Sequence, residues 1–216
     1  MSENEMIDIY DEHMNLIGTA PREQAHREGL WHKAFHCWIV KRASDGHHRV
    51  LLQLRSKKKA DYPNTLDISA AGHLTSGETA KDGIREIKEE LGIDTEVDKL
   101  VKLFTVTSVS ERNGHINHEF NPTYLLEIDQ NLSELKMQPD EVDGVLEATV
   151  EDLLNLFKHK VSSVYVSGIL LNEDGSYVPH TGSVGIKDFT PHNDSYYVKV
   201  MTTIKRYFDG QKDIAA

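Results

Sequence analysis

With 216 residues and 38% hydrophobic content, the chain can bury one good core with room for an appended subdomain. A formal charge of −11 argues against nucleic-acid binding across the whole surface, since phosphate contacts require a basic face. The charge leaves room for metal ions and for an anionic substrate at a local basic patch, visible in Arg55-Ser56-Lys57-Lys58-Lys59. No apolar run approaches the roughly 20 residues of a membrane span, and the polar start Met-Ser-Glu-Asn-Glu does not read as a signal peptide. A single cysteine, Cys37, excludes an internal disulfide framework and fits a reducing, cytoplasmic location.

In chain order, residues 7–10 and 16–19 read as a short hairpin, and residues 21–28 as a short helix closed by Gly29. Residues 34–41 and 49–54 are strand candidates joined by a turn at Ser44-Asp45-Gly46. A strand-like run over 66–71 leads into a glycine-bracketed loop, 72–77. Thr79 with Asp82 three residues later resembles a capping box, so a helix should begin near Ala80. It should end at Gly92, where a left-handed cap is expected. Ile84, Ile87 and Leu91 give that helix an apolar stripe.

Strands are expected over 101–109 and 120–128, with a turn at Asn113-Gly114 between them. Thr149 should cap a helix over 150–158 that buries Leu153, Leu154 and Phe157. A second hairpin is expected over 164–171 and 177–178, turning at 172–175. Thr190-Pro191 predicts the start of a last helix running to about Phe208, with Tyr197, Val200, Met201, Ile204 and Phe208 as a core or dimer stripe. Strands and helices mixed at these lengths favour an α/β sandwich with a mixed sheet.

The chemistry concentrates in the helix after the glycine loop. Glu86, Glu89 and Glu90 stand at i, i+3 and i+4 and share one face. Such neighbours repel by a few tenths of a kcal/mol per pair, roughly. A divalent cation held by hard oxygen ligands removes that penalty, and the bland alternative is an acidic solvated face.

The segment from Gly72 to Ile93 resembles the Nudix box: Gly72, Glu78, Arg85, Glu86, Ile87, Glu89, Glu90, Gly92 and Ile93 all match its pattern. It departs at one point, because six residues separate Glu78 from Arg85 where the pattern has seven. The shortfall bears on the Glu78–Arg85 contact that in the family braces loop against helix. Asp11, Glu12, Ile17, Gly18, Arg22, His26 and Gly29-Leu30-Trp31-His32 are similar to the entry region of Nudix proteins related to isopentenyl-diphosphate isomerase. Leu51 to Ser56, Pro63, Asp67 to His73 and Glu141-Val142-Asp143 continue the likeness, which spans about residues 5–160.

The resemblance implies a Nudix-type α/β/α sandwich over residues 1–160 with an N-terminal hairpin. A C-terminal extension, 161–216, would pack on the same domain or at a dimer contact. It implies a divalent-metal-dependent hydrolase that cleaves the diphosphate of a nucleoside diphosphate linked to another moiety. Mg²⁺ or Mn²⁺ would be held by Glu86, Glu89 and Glu90 with the carbonyl of Ala71 or Gly72, and Arg85 belongs to the same catalytic group. Glu119 and Glu141 are later candidates for ligand or base. Arg55 and Lys59 are candidates for phosphate oxygens and His73 for substrate contact, while a solvated loop is the alternative for the lysine run.

The expected partner is a small-molecule diphosphate, with neither membrane nor bulk nucleic acid, and a homodimer is reasonable. An isomerase would need a cysteine where this chain has Ala71, whose methyl cannot transfer a proton, and Cys37 lies in a different strand. A non-catalytic Nudix-fold binding module is the other alternative.

Overall fold

The computed structural model describes residues 5–112, 114–192 and 195–211. The chain enters through a hairpin, β1 (Met6–Tyr10) and β2 (Leu16–Pro21), and a short helix α1 (Arg22–Glu28). Gly29 closes α1 at φ 65°, a left-handed position that glycine takes without a Cβ clash. The strands β3 (Trp31–Lys41) and β4 (Arg49–Arg55) follow, then the short β5 (Leu66–Asp67) and β6 (Ala70–His73). The strand-like run expected over 66–71 is thus divided in two. Helix α2 (Ile84–Leu91) carries the glutamates, and β7 (Val101–Arg112) and β8 (His115–Glu127) form a long antiparallel ribbon. Asn113, half of the turn expected there, lies outside the described residues.

Strand β9 (Val142–Thr149) had no counterpart in the sequence reading. It lies between β4 and the next strand, β10 (Val164–Leu171), and buries Val142, Val145, Leu146 and Ala148. With residues buried on both faces its pattern lacks the alternation that marks a half-exposed strand. Helix α3 (Val150–Phe157) begins at Thr149, whose side chain accepts the Asp152 N–H at 3.0 Å as expected of a cap. β10 pairs with β11 (Tyr177–Val184), and the chain ends in helix α4 (Tyr196–Phe208).

The described strands form one sheet with the path β11-β10-β9-β4-β3-β1-β2. β3 runs antiparallel to β4 and β6 and parallel to β8, which makes the sheet mixed. Alternation along β3 sets the two layers. Phe35, Cys37 and Ile39 join Ile87 and Leu91 of α2 in one apolar cluster. Trp38 and Val40 join Leu153 and Leu156 of α3 and Val200, Met201 and Ile204 of α4 in the other. Among the described residues no helix is long and apolar enough to cross a membrane.

Two helix starts differ from expectation. Asp82 does accept the Thr79 N–H at 2.7 Å, as in a capping box, but the bond closes a tight turn and α2 begins only at Ile84. Gly83 ahead of it presses on β3, where a Cβ would stand 2.5 Å from Phe35. Thr190-Pro191 does not open α4. The Thr190 N–H donates to the Leu66 carbonyl at 2.8 Å and its hydroxyl bonds Thr65 at 2.7 Å, which ties the segment to β5 and delays the helix to Tyr196.

The apolar stripe of α4 lies inside this chain's own core, with Tyr197 stacked on Phe157 at 4.3 Å between ring centres. Truncating Ile204, which is fully buried between α3 and the sheet, to alanine should cost about 2–5 kcal/mol of stability. Equilibrium denaturation followed by fluorescence of the buried Trp38 would measure it, and a loss below about 1 kcal/mol would show that α4 is not part of the cooperative core.

Candidate active site

Arg85 organises the loop and helix of the box. Its guanidinium donates to both Glu78 carboxylate oxygens at 2.7 and 3.1 Å and to the His73 carbonyl at 3.0 Å. It also donates to Glu86 at 2.7 Å and to Glu89 at 3.2 Å. The Glu78–Arg85 brace is therefore formed despite the shortened spacing. The late start of α2 absorbs the missing residue, because residues 79–83 turn tightly and deliver Arg85 to the first turn of the helix. Glu78 also accepts the Thr75 N–H at 2.7 Å, which fixes the loop on the far side.

Glu86 and Glu90 are buried, whereas the Glu89 side chain is 54% exposed and turned toward Arg85. The site is closed tightly around Glu86: a Cβ on Gly72 would stand 2.1 Å from its carboxyl carbon, so a larger residue there would displace the carboxylate. Glu90 accepts from Gln53 Nε2 at 3.0 Å and from the Ala71 N–H at 3.1 Å. The N–H and C=O of one strand residue leave the same edge, so the Ala71 carbonyl faces α2 as well. Burial pushes Glu86 up to about 7 against the pull of Arg85. Burial and the neighbouring Glu86 push Glu90 up to about 8, opposed by its two donors, and Glu141 adds to the push. Two buried acids each resisting ionisation form a site that a cation would relieve.

A second centre lies nearby. His26 of α1, His32 of β3, His73 of β6 and Glu119 of β8 place one donor atom each within 4.8 Å of one another. His26 and His32 donate through Nδ1 to the carbonyls of Arg22 and Leu30, both at 2.8 Å, which leaves each Nε2 with a lone pair. The Nε2 atoms of His32 and His73 are buried without a partner, and each stands 3.6 Å from Glu119 Oε1. Burial holds His26 down at about 4 and His73 well below its usual value, so both are neutral donors at pH 7. Burial alone would raise Glu119, but the surrounding histidines outweigh it and hold the carboxyl far below its usual range. Three imidazoles with one carboxylate and orphaned nitrogens suit a divalent transition-metal ion.

Of the other expected residues, Glu141 is ion-paired with Lys59 and lies close enough to Glu90 to raise its pKa. Arg55 is occupied: it bonds Asp67 at 3.1 Å and the carbonyls of Asp61 and Tyr62, so it holds the loop that carries the lysines. His73, expected at the substrate, sits inside the histidine centre. His26 and His32 matched the family pattern but were not read as donors, because nothing in the sequence places them beside His73 and Glu119.

The comparisons with known proteins give the family and the fold. The model of the NUDIX domain matches residues 31–167. The chain is 34% identical to an uncharacterized Nudix hydrolase of Clostridium acetobutylicum, across 94% of this chain and 98% of that protein. The chain belongs to the Nudix hydrolase family. It is also similar to isopentenyl-diphosphate Delta-isomerase 2 of Aromatoleum aromaticum, at 29% identity across 62% of this chain and 67% of that protein. In fold it is similar to a solved Deinococcus radiodurans protein, with TM-score 0.55 and 23% identity, covering 72% of this chain and 90% of that one. Enzymes of this family generally use divalent metals, and His26, His32, His73 and Glu119 form a candidate group for one.

The buried acids give the chelated enzyme a pH signature. Glu86 and Glu90 have folded-state values raised above 4.5, so their stabilising contribution is complete below pH 4.5 and is lost as pH rises through about 7 to 8. Buried histidines such as His26 act oppositely below pH 6.5, where they stay neutral when folded and protonate when unfolded. From pH 6.5 to about 8 the carboxylates dominate. In EDTA the urea midpoint should therefore fall across that window, and Mg²⁺ or Mn²⁺ should flatten the decline. A midpoint that rises with pH in EDTA would contradict the raised carboxylate values.

Proposed function

We propose that the enzyme hydrolyses the diphosphate linking a nucleoside to another group, with Mg²⁺ or Mn²⁺ at the helix glutamates. The observation that carries this reading is the pair of buried, charge-resisting acids Glu86 and Glu90, packed against Gly72 and Ala71 and held by an intact Arg85 brace. Glu86, Glu89, Glu90 and the Ala71 carbonyl would hold one ion, and His26, His32, His73 and Glu119 a second. Such ions neutralise phosphate charge and lower the pKa of a bound water.

The chain's own residues supply the rest. Arg85 fixes the rotamers of Glu86 and Glu89 and the carbonyl of His73, so the carboxylates are positioned before substrate arrives. Glu141, beside Glu90, or a helix glutamate not engaged by the ion would take the proton of the attacking water. Lys59, paired with Glu141 beside Glu90, can exchange that partner for a phosphate oxygen. Arg55 keeps the lysine loop in place through Asp67.

Isomerisation is disfavoured by the same geometry. Ala71 offers only a methyl, and Cys37 is fully buried in the apolar cluster beneath α2, where burial pushes its thiol up and away from proton transfer.

Purified enzyme with Mg²⁺ or Mn²⁺ should release phosphate-bearing products from a panel of nucleoside diphosphate derivatives, and EDTA should stop it. Glu90→Gln should lower kcat about 10²- to 10⁴-fold while the protein remains folded. No turnover of any panel member, or interconversion of isopentenyl and dimethylallyl diphosphates, would reject the reading.

A further inference from the structure

Three lysines follow β4, and the acids around them separate their roles. Lys57 pairs with Glu173 at 3.0 Å and Lys58 with Asp140 at 2.6 Å, both on the outside. Lys59 turns inward, half-buried on Glu141 beside Glu90. The loop that carries it has a backbone its residues do not adopt unaided. Tyr62 and Asn64 lie in the left-handed region at φ 48° and 59°, which a bulky side chain takes only when its surroundings impose it.

Arg55 is the first constraint on Tyr62. Its Nε donates to the carbonyls of Asp61 and Tyr62 at 3.3 and 3.2 Å, and its Nη2 to Asp61 again at 2.9 Å. The rest of the guanidinium fork is fixed by Asp67 at 3.1 Å. Asp67 is buried, and its other oxygen meets the Ile68 N–H at 2.9 Å and His192 Nε2 at 3.1 Å. Burial would raise the Asp67 carboxyl, but His192 and Arg55 hold it down at about 2. It is therefore an acceptor only, and the shared hydrogen sits on His192 Nε2.

A second constraint reaches the same carbonyl. The Thr65 hydroxyl donates to Tyr62 at 2.8 Å and lies 2.7 Å from the Thr190 hydroxyl. Since the one Thr65 hydrogen is spent on Tyr62, Thr190 is the donor between the two. The Thr190 N–H bonds the Leu66 carbonyl at 2.8 Å, and its own carbonyl accepts the Tyr197 hydroxyl at 2.7 Å. Both routes to Tyr62 thus end on the segment that leads into α4, one at His192 and the other at Thr190.

We propose that His192 and Thr190 are positioning residues, which act through Asp67–Arg55 and through Thr65 to hold the lysine loop in the form that presents Lys59 to the substrate's phosphates. The link to phosphate rests on the diphosphate-hydrolase reading. The hold on the loop rests on the hydrogen bonds alone.

Two pairs of variants test it. His192→Phe removes the donor to Asp67 and keeps a ring, while His192→Gln returns an N–H near the Nε2 position. Thr190→Val removes the hydroxyl and keeps the shape, while Thr190→Ser returns it. Amide exchange is read at Lys59 and Asn64, whose N–H groups bond within the loop to Ser56 and Arg55. Steady-state kinetics with Mg²⁺ use ADP-ribose, NADH and UDP-glucose, taking the one the wild type cleaves.

In the Phe and Val variants exchange at both amides should quicken about tenfold, and KM should rise about three- to tenfold with kcat within about twofold. Gln and Ser should restore both. A response in one pair only assigns the loop to that route. Exchange unchanged in both pairs, or KM unchanged where a probe is cleaved, overturns the proposal. So does failure of Gln and Ser to restore, because the loss is then one of packing. If no probe is cleaved, the hydrolase reading fails, and the exchange result alone decides whether the C-terminal segment holds the loop.

Discussion

One guanidinium ties the box loop, its helix and the neighbouring strand together. Arg85 reaches Glu78, Glu86, Glu89 and the backbone of His73, so a single side chain ties loop to helix and helix to strand. Its planar fork suits this task in a way that an ammonium would not, because several fixed donors meet several acceptors at once. Without it, the carboxylates on α2 would lie close to one another with no counter-charge. The surrounding acids and their hydrogen bonds raise the Arg85 pKa further, so the brace stays charged wherever the protein is folded.

Strand β6 is the other fixed element. In four residues it faces both clusters: Ala71 and Gly72 pack against the glutamates, while His73 belongs to the histidine cluster. The sheet explains this economy. β3 lies beside β6 on one part of its length and beside β8 along most of it, so His32, His73 and Glu119 converge from three strands. Helix α1, packed on β8, brings His26 over the same point, its ring 4.9 Å from that of His32.

The C-terminal segment is integrated into this arrangement. β10 extends the central sheet through β9, and α4 docks on α3 with its stripe fully used. Phe189 and Thr190 run alongside Leu66 before α4 begins, and that detour carries His192 to Asp67. The same detour explains why a sequence signal as clear as Thr190-Pro191 did not start the helix. The N–H and hydroxyl of Thr190 pair with β5 and its approach, and that tertiary pairing holds the segment against the sheet where a helix would otherwise start.

Local patterns were legible where one turn or one period decides them. The hairpin at the N-terminus, the glycine cap of α1, the Thr149 cap, the apolar stripe of α2 and the glutamate spacing are set by residues within a few positions of one another. The box itself was readable for the same reason, including the residue missing before Arg85. β9 was not readable, because a strand buried on both faces loses its alternation. The consequence of the contraction was also hidden, since the turn over residues 79–83 depends on Gly83 meeting Phe35 of β3.

The histidine centre joins residues up to 93 positions apart, and no local periodicity reports such distances. The sequence by itself determined the family, the acidic helix and the loss of the isomerase cysteine. Only the tertiary structure decided that Arg55 is bound to Asp67, that Glu78 still reaches Arg85 and that four distant side chains form one donor set. Burial, charge pairing and strand register act through space, and the chain order carries them only once it is folded.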